Sequence, residues 1–304
     1  MMPATLCRTT IGLALASVAA LAGCSDSGSA DTTSGSADSA TSAPDSSATT
    51  EASVRLPPVN AGADYQIAGD YELVGDTAIV SRDWLEGDPA EGAYSICYVN
   101  AFQTQPDDPD IERPDETSAW PAALVLSALA DDPNWTGEYL IDISTPDLRA
   151  AAAEWVAQMV STCGDKGFDA VEFDNLDSWT RFADEPSVQA LVTFGRDDAV
   201  AFATLITEQA HSLGMAVGQK NTIELIDDGG AEQIGFDFAV VEECGRYGEC
   251  EGYAGAYEDR VMDIEYTDQG FGAACDALGD RISIVRRDHL VSQPDGPDYV
   301  LEQC

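Results

Sequence analysis

The sequence predicts an α/β fold, a (β/α)8 TIM barrel, preceded by a lipoprotein signal peptide and a disordered Ser/Thr/Ala/Asp linker. Three observations predict the barrel. From about residue 63, short β-rich runs alternate with amphipathic helical stretches, which calls for a parallel sheet with helices on its outside. The runs number eight or nine, and eight close naturally into a cylinder. Acids recur at the C-terminal ends of the runs, the rim where barrel active sites sit.

In chain order, residues 1–23 carry Arg8 and then an apolar run from Ile11 to Ala22. That run is too short to span a bilayer comfortably and has the form of a signal peptide. Leu21-Ala22-Gly23-Cys24 resembles a bacterial lipobox. Cleavage before Cys24 would expose it for lipidation and hold the chain at the outer face of a bacterial membrane without spanning it; if the cysteine is incidental, the chain is secreted. Residues 25–52 are almost entirely Ser, Thr, Ala, Gly and Asp, too poor in apolar area to offset chain entropy. The boundaries that follow are 1–23 for the signal peptide, 24–56 for the lipidated cysteine and linker, and 57–304 for the barrel.

The nine strand candidates are 64–67, 77–80, 94–100, 138–143, the stretch within 167–177, 215–221, 236–243, 261–266 and 282–285. One must lie outside the barrel, and the first two and the last are the suspects. A long polar loop with PDDPDIERPDE at 106–116 follows the third; loops of that length in compact domains are often functional. Ser144-Thr145-Pro146-Asp147 opens a helix with a capping residue and an early proline,. Leu148, Ala152, Trp155, Val156, Met159, Val160 and Cys163 continue it at helical spacing,. A second helix covers 197–213, with His211 at its C-terminal end, where a cation suits the dipole,.

The stretch GFDAVEFDNLD at 167–177 is the centre of the chain. Alternation puts Val171 and Phe173 on one face, and Glu172 and Asp174 on the other. In a barrel the apolar face meets the helices and the acids point inward and up. On the next strand Ala216, Gly218 and Lys220 share a face. The small residues leave room for Lys220, one of only two lysines with Lys166, to act as charge partner to rim acids. On the strand after that, Phe238, Val240 and Glu242 share a face.

The net charge of −41, from 14 Lys+Arg against 55 Asp+Glu, excludes nucleic acid as a partner, because phosphate binding needs a basic surface. A cationic ligand would be drawn to an acidic cleft, although the same surplus also serves solubility alone. Of eight cysteines, six (Cys97, Cys163, Cys244, Cys250, Cys275, Cys304) fall in the barrel. An exported chain calls for disulfides, with 15 possible pairings; Cys244 with Cys250 is the pair close enough to close a small loop. With two histidines, both assigned to surface elements, zinc is not expected. No cofactor is called for, and a monomer is expected.

The acids at strand ends are Asp64, Asp142, Glu172 with Asp174, Glu242 with Glu243, and Glu265. No Gly-rich phosphate loop or nucleophile elbow accompanies them, and neither His211 nor His289 is placed for a serine triad. Paired-carboxylate chemistry remains, as in glycoside hydrolysis. Tyr65, Tyr98, Trp179, Tyr247 and Tyr266 are candidate sugar-stacking rings or packing residues.

YSICYVN (94–100), GFDAVEFDNLD (167–177), VGQKN (217–221), DFAVVEEC (237–244) and IEY (264–266) together resemble glycoside hydrolase family 114, the endo-α-1,4-polygalactosaminidase family. The resemblance covers about residues 60–290. Glu172, Asp174 and Asn175 match its VExDN motif, Lys220 and Asn221 its KN pair, and Glu242 and Cys244 its ExC element. Phe173, Ala170, Gln219 and Val241 depart from the family's usual Pro, Gly, Leu and Asn; Val241 removes a possible hydrogen-bond partner beside Glu242. The resemblance implies a (β/α)8 barrel with Asp174 and Glu242 as catalytic carboxylates. We assign Asp174 as nucleophile or stabiliser and Glu242 as acid/base. Asp64, Tyr98, Asp142, Glu172, Asn175, Lys220, Asn221, Glu265 and Tyr266 are the expected substrate-binding residues, with Glu172 deeper in the barrel. The expected partner is a polysaccharide, a cationic amino-sugar polymer, with the membrane reached only through the lipid. Two other readings stay open: action on another α-linked glycan, and a polysaccharide-binding lipoprotein without catalysis.

Overall fold

The computed structural model describes residues 54–105, 120–126, 128–129 and 131–304. The signal peptide, Cys7, Cys24 and the linker as far as residue 53 lie outside the described residues, as does the stretch 106–116. The described strands are β1 (Gly62–Gln66), β2 (Thr77–Asp83), β3 (Tyr94–Asn100), β4 (Ala170–Asp174), β5 (Ala216–Lys220), β6 (Phe238–Glu242), β7 (Val261–Glu265), β8 (Ser283–Arg287) and β9 (Leu301–Gln303). The helices are α1 (Pro146–Lys166), α2 (Pro186–Gln189), α3 (Arg196–Ser212), α4 (Glu224–Asp227), α5 (Gly230–Ile234), α6 (Cys244–Tyr247), α7 (Cys250–Ala256) and α8 (Asp268–Leu278).

Strands β1 to β8 lie side by side in sequence order, every neighbouring pair parallel, and β9 adds antiparallel to β8. Alternation along each strand separates two cores. Tyr65, Ile96, Ala170, Ala216, Phe238 and Ile264 pack inside the cylinder. Val99, Val171, Phe173 and Val217 face outward against the buried stripes of α1 and α3. Helix α1 starts where the capping sequence places it: Thr145 Oγ1 accepts the Leu148 amide at 3.3 Å and Pro146 takes the first helical position. It ends at Gly167, whose φ of 92° is a left-handed stop that glycine tolerates,.

The cylinder is nearly closed. Among the described residues no backbone ladder joins β8 to β1; the buried Arg287 side chain spans the seam. Its Nη1 donates to Asp64 Oδ1 at 2.7 Å and to the Tyr65 carbonyl, and its Nε donates to the Val300 carbonyl at 2.9 Å. From β9, Gln303 Nε2 donates to the Ala63 carbonyl at 2.8 Å and to Thr77 Oγ1 at 3.0 Å. A disulfide between Cys275 and Cys304 ties this last strand to α8. The other bridges are Cys97–Cys163, which links β3 to α1, and the expected Cys244–Cys250.

The supernumerary candidate is none of the three suspects. It is 138–143: Leu140 and Ile141 make only isolated antiparallel bridges, to Gln103 and Val125. The backbone donates antiparallel to the segment leaving β3, with Ile141 N to Phe102 O at 3.0 Å and Thr104 N to Tyr139 O at 2.9 Å. A segment paired that way cannot be a parallel stave, so β3 pairs directly with β4.

Candidate active site

Inward-facing residues near the C-terminal ends of β3, β4, β5 and β6, Tyr98, Asp174, Lys220 and Glu242, all line one cavity of about 250 Å³. Tyr65, Glu138, Asn175, Arg181, Asn221, Tyr266, Trp135 and His289 complete its walls. At its floor lies the buried Lys220 ammonium. It stands 3.2 Å from Asp174 Oδ1, 3.7 Å from Glu242 Oε2 and 3.7 Å from Glu172 Oε2, and donates to the Tyr65 hydroxyl at 2.9 Å. The tyrosine rings add cation–π contacts, at 5.2 Å for Tyr65 and 5.6 Å for Tyr98,. Burial opposes the lysine's charge, yet the three carboxylates outweigh it and hold the ammonium well above its ordinary pKa.

Asp174 is the more enclosed of the two candidate catalysts, its side chain 19% exposed against 30% for Glu242. Its Oδ2 accepts from the Tyr98 hydroxyl at 2.7 Å and its Oδ1 from the Asn175 amide at 2.7 Å. Burial works against ionisation, but Lys220, the Tyr98 hydroxyl and the Asn175 amide prevail and keep the carboxyl below its usual range,. The positive φ of Asn175, 61°, turns the chain so that its amide meets Asp174. Glu242 is gripped from both sides. The Tyr266 hydroxyl donates to Oε1, Asn221 Nδ2 to Oε2 at 3.1 Å, and the Glu242 amide returns a bond to Asn221 Oδ1 at 2.7 Å. Asn221 on the neighbouring strand end thus supplies the partner that Val241 cannot. Glu172 sits one layer down, fully buried, accepting from Ser81 Oγ; burial pushes its carboxyl up to about 7 against the pull of Lys220.

Asp174 Oδ1 and Glu242 Oε2 touch the same ammonium at 3.2 and 3.7 Å, so they are at most about 7 Å apart. Glycosidase carboxyl pairs span about 5 to 9.5 Å, so this pair falls below the widest separations.

Four expected binding residues do not reach the cavity: Glu172, one layer down, and Asp64, Asp142 and Glu265. Asp64 is fully buried at the seam, claimed by Arg287, the Tyr65 amide at 2.8 Å and Gln66 Nε2 at 2.8 Å. Asp142 caps its own turn through the Ser144 amide at 3.1 Å. Glu265 lies on the outward parity of β7, where its Oε1 accepts the Gly245 amide at 2.6 Å and the Arg246 amide at 3.3 Å at the start of α6. A Cβ at Gly218 would stand 2.8 Å from the Phe238 ring, so the glycine seats that ring. His289, on the surface as expected, also borders the cavity: its ring lies 5.2 Å from Tyr266 and 5.6 Å from Trp135.

Glu138, Trp135, Asn100 and Arg181 were not singled out from sequence. Asn100 bridges the site, its Nδ2 donating to Glu138 Oε2 at 3.2 Å and its Oδ1 accepting from Asn175 Nδ2 at 2.9 Å. The available signal was weak: Asn100 ends the inward parity of β3, Trp135 stands in an aperiodic stretch, and Glu138 opens a run that reads as a stave.

A model of glycoside-hydrolase family GH114 matches residues 43–304. Among solved structures, Aspergillus fumigatus Ega3 in complex with galactosamine matches with TM-score 0.64 and 21% identity, over 84% of this chain and 100% of that one. The glycoside hydrolase domain of PelA from Pseudomonas aeruginosa matches with TM-score 0.53 and 14% identity, over 79% of this chain and 97% of that one. At those identities the likeness is one of fold. No curated protein matches.

Proposed function

The chain belongs to glycoside hydrolase family GH114, and from that membership we propose that it is an endo-acting hydrolase of α-1,4-linked, galactosamine-containing polysaccharide, tethered outside the membrane through lipid on Cys24. The structure of Ega3 in complex with galactosamine is the comparison that directs the choice of sugar. The acidic surplus is compatible with it, since a polymer of free amines is cationic.

One observation carries the catalytic reading: two carboxylates from alternate staves meet over a single buried ammonium in an open cavity. Lys220 keeps Asp174 anionic, which suits a nucleophile or a stabiliser of oxocarbenium charge. Glu242 is the more open of the two and meets the leaving oxygen, then water, as acid and base. A sugar seated between them replaces the water there. A purely binding module has no use for a buried cation neutralising two cavity carboxylates.

The test is hydrolysis of partly de-N-acetylated galactosaminogalactan, chitosan and a neutral α-glucan, with products read by mass spectrometry. We expect cleavage of the first alone, and its loss in both Asp174→Asn and Glu242→Gln while each variant melts cooperatively. Full activity in either variant rejects the assignment.

A further inference from the structure

The loop leading to Glu138 is held by a network of hydrogen bonds, although it carries no periodic structure. Buried Asp132 organises it: Oδ1 accepts the Asn134 amide at 2.7 Å and the Trp135 amide at 3.1 Å. Its Oδ2 takes Gln103 Nε2 at 3.1 Å and pairs with Arg181 Nε at 3.1 Å. The turn is closed by Glu138 N to Trp135 O at 3.1 Å and Asp132 N to Glu138 O at 2.8 Å. Gly137 takes the left-handed φ of 94°, and its amide donates to Asp131 Oδ2 at 3.1 Å.

Two side chains are delivered by this turn to the cavity wall. Trp135 is 40% exposed, an unusual state for so large an apolar ring, and it is steadied edge-on by His289,. Glu138 is 8% exposed, its Oε2 held by Asn100, and among the described residues no donor meets its Oε1. Glu138 lines the cavity, so its second carboxylate oxygen can take a donor from a ligand seated there,. Burial, and then the nearby Asp174, push its pKa up to about 8.

We propose that residues 131–138 form a preformed subsite for one amino sugar of the polymer, in which Trp135 stacks on the ring face and Glu138 Oε1 pairs with its free ammonium, selecting it against an N-acetylated sugar. This rests on the reading of the cavity as a polysaccharide site. An acetamido group brings no charge and more bulk to the same oxygen, so Glu138 is the specificity-determining residue and Trp135 the indifferent platform.

The probes are an α-1,4-linked galactosamine tetramer and its fully N-acetylated counterpart. Binding is measured by calorimetry on the Glu242→Gln chain, alone and with Glu138→Gln or Trp135→Ala added. Gln keeps an acceptor for Asn100, so the fold is preserved. We expect Glu138→Gln to weaken the free-amine tetramer by about tenfold or more, as for loss of a desolvated charge pair, and to leave the acetylated one unchanged. Trp135→Ala weakens both alike. With Glu242 restored, Glu138→Gln raises KM for the free-amine tetramer at constant kcat. Equal weakening of both tetramers by Glu138→Gln, unchanged free-amine binding, failure of the free-amine tetramer to bind at all, or a fall in kcat at constant KM overturns the proposal. If the wild-type chain binds but cleaves neither tetramer, the hydrolase reading fails while the binding comparison still decides the subsite.

Discussion

Replacing Lys220 by Met keeps the length and apolar stem of the side chain and removes the one cation that three carboxylates share. Those carboxylates stand at 3.2, 3.7 and 3.7 Å from it. Stripping a buried charge of its partner costs about 3–5 kcal/mol if the charge stays. The site has a cheaper response, which is to take up protons. Lys220 is the largest influence holding the Asp174 carboxyl down against burial. Without it that pKa must rise, and since one pKa unit is about 1.4 kcal/mol, relieving about 3 kcal/mol moves it by about two units. A depressed carboxyl gives the active, ionised form above its pKa, so the acid limb of the rate profile shifts upward. Activity near pH 5 is then lost before activity near pH 7. At neutral pH the variant also lacks the cation that neutralises the cavity, and we expect a fall of about 100-fold or more in kcat/KM, in line with loss of a preorganised electrostatic group. The assay is reducing-end release from de-N-acetylated polymer between pH 4 and pH 8, with a thermal melt of each protein. An acid limb that stays put in Lys220→Met, in a protein that melts cooperatively, refutes the role assigned to the lysine.

Remaining predictions concern the frame that holds the site. His211 Nε2 meets Asp237 Oδ2 at 2.8 Å, and that bond raises the imidazole pKa. The pair therefore adds stability that is fully present below the unfolded histidine pKa and lost as pH rises through the folded one. With the ring about a third exposed, His211→Ala should cost no more than about 0.5 kcal/mol at pH 5.5 and nothing at pH 9, read by urea melts at both. Cys304→Ser releases β9 from α8 across a separation of 29 residues, a loss of about 3–4 kcal/mol in the chain-entropy model; hydrogen exchange in β1 and β8 should rise before that in β4 or β5, and uniform exchange would speak against a seam held from the C-terminus. Gly218→Ala sets a methyl group 2.8 Å from the Phe238 ring and should cost about 1–3 kcal/mol by overpacking, visible as a lowered melting temperature, whereas an unchanged one would show that the ring has room to move.

What could be read in the sequence was parity, and parity is local. The two-residue repeat put Asp174, Lys220 and Glu242 on inward faces, and the cavity contains all three. Five short motifs in order gave the family that the GH114 match establishes. The misses share a different cause. Asp64 ends on Arg287 and Glu265 on the amides of Gly245 and Arg246. For Asp64 the partner lies more than two hundred residues away. A strand-end acid announces a side chain, but not which donor will claim it. Residues 138–143 read as a stave because alternating apolar residues satisfy any strand, parallel or antiparallel; only the backbone partners, Phe102 and Tyr139 with Thr104, reveal the direction.

The same limit explains why Glu138 and Trp135 escaped notice and why their placement is informative. A parallel barrel fixes only what stands on its staves, so a catalytic pair can be inherited with the strands, whereas recognition must be added by connections that have no period to read. In this chain the turn at 131–138, within the connection after β3, is organised by hydrogen bonds that Asp132 accepts and by its ion pair with Arg181. Polar scaffolding of that kind leaves apolar Trp135 outside, free to meet a ring, and leaves one oxygen of Glu138 open beside the acids. On the proposed reading, the barrel positions the chemistry through Lys220, and the loop presents the groups that tell one sugar from another. The two functions are separable: changes at Lys220 must move the pH profile, while changes at Glu138 must move the choice of substrate.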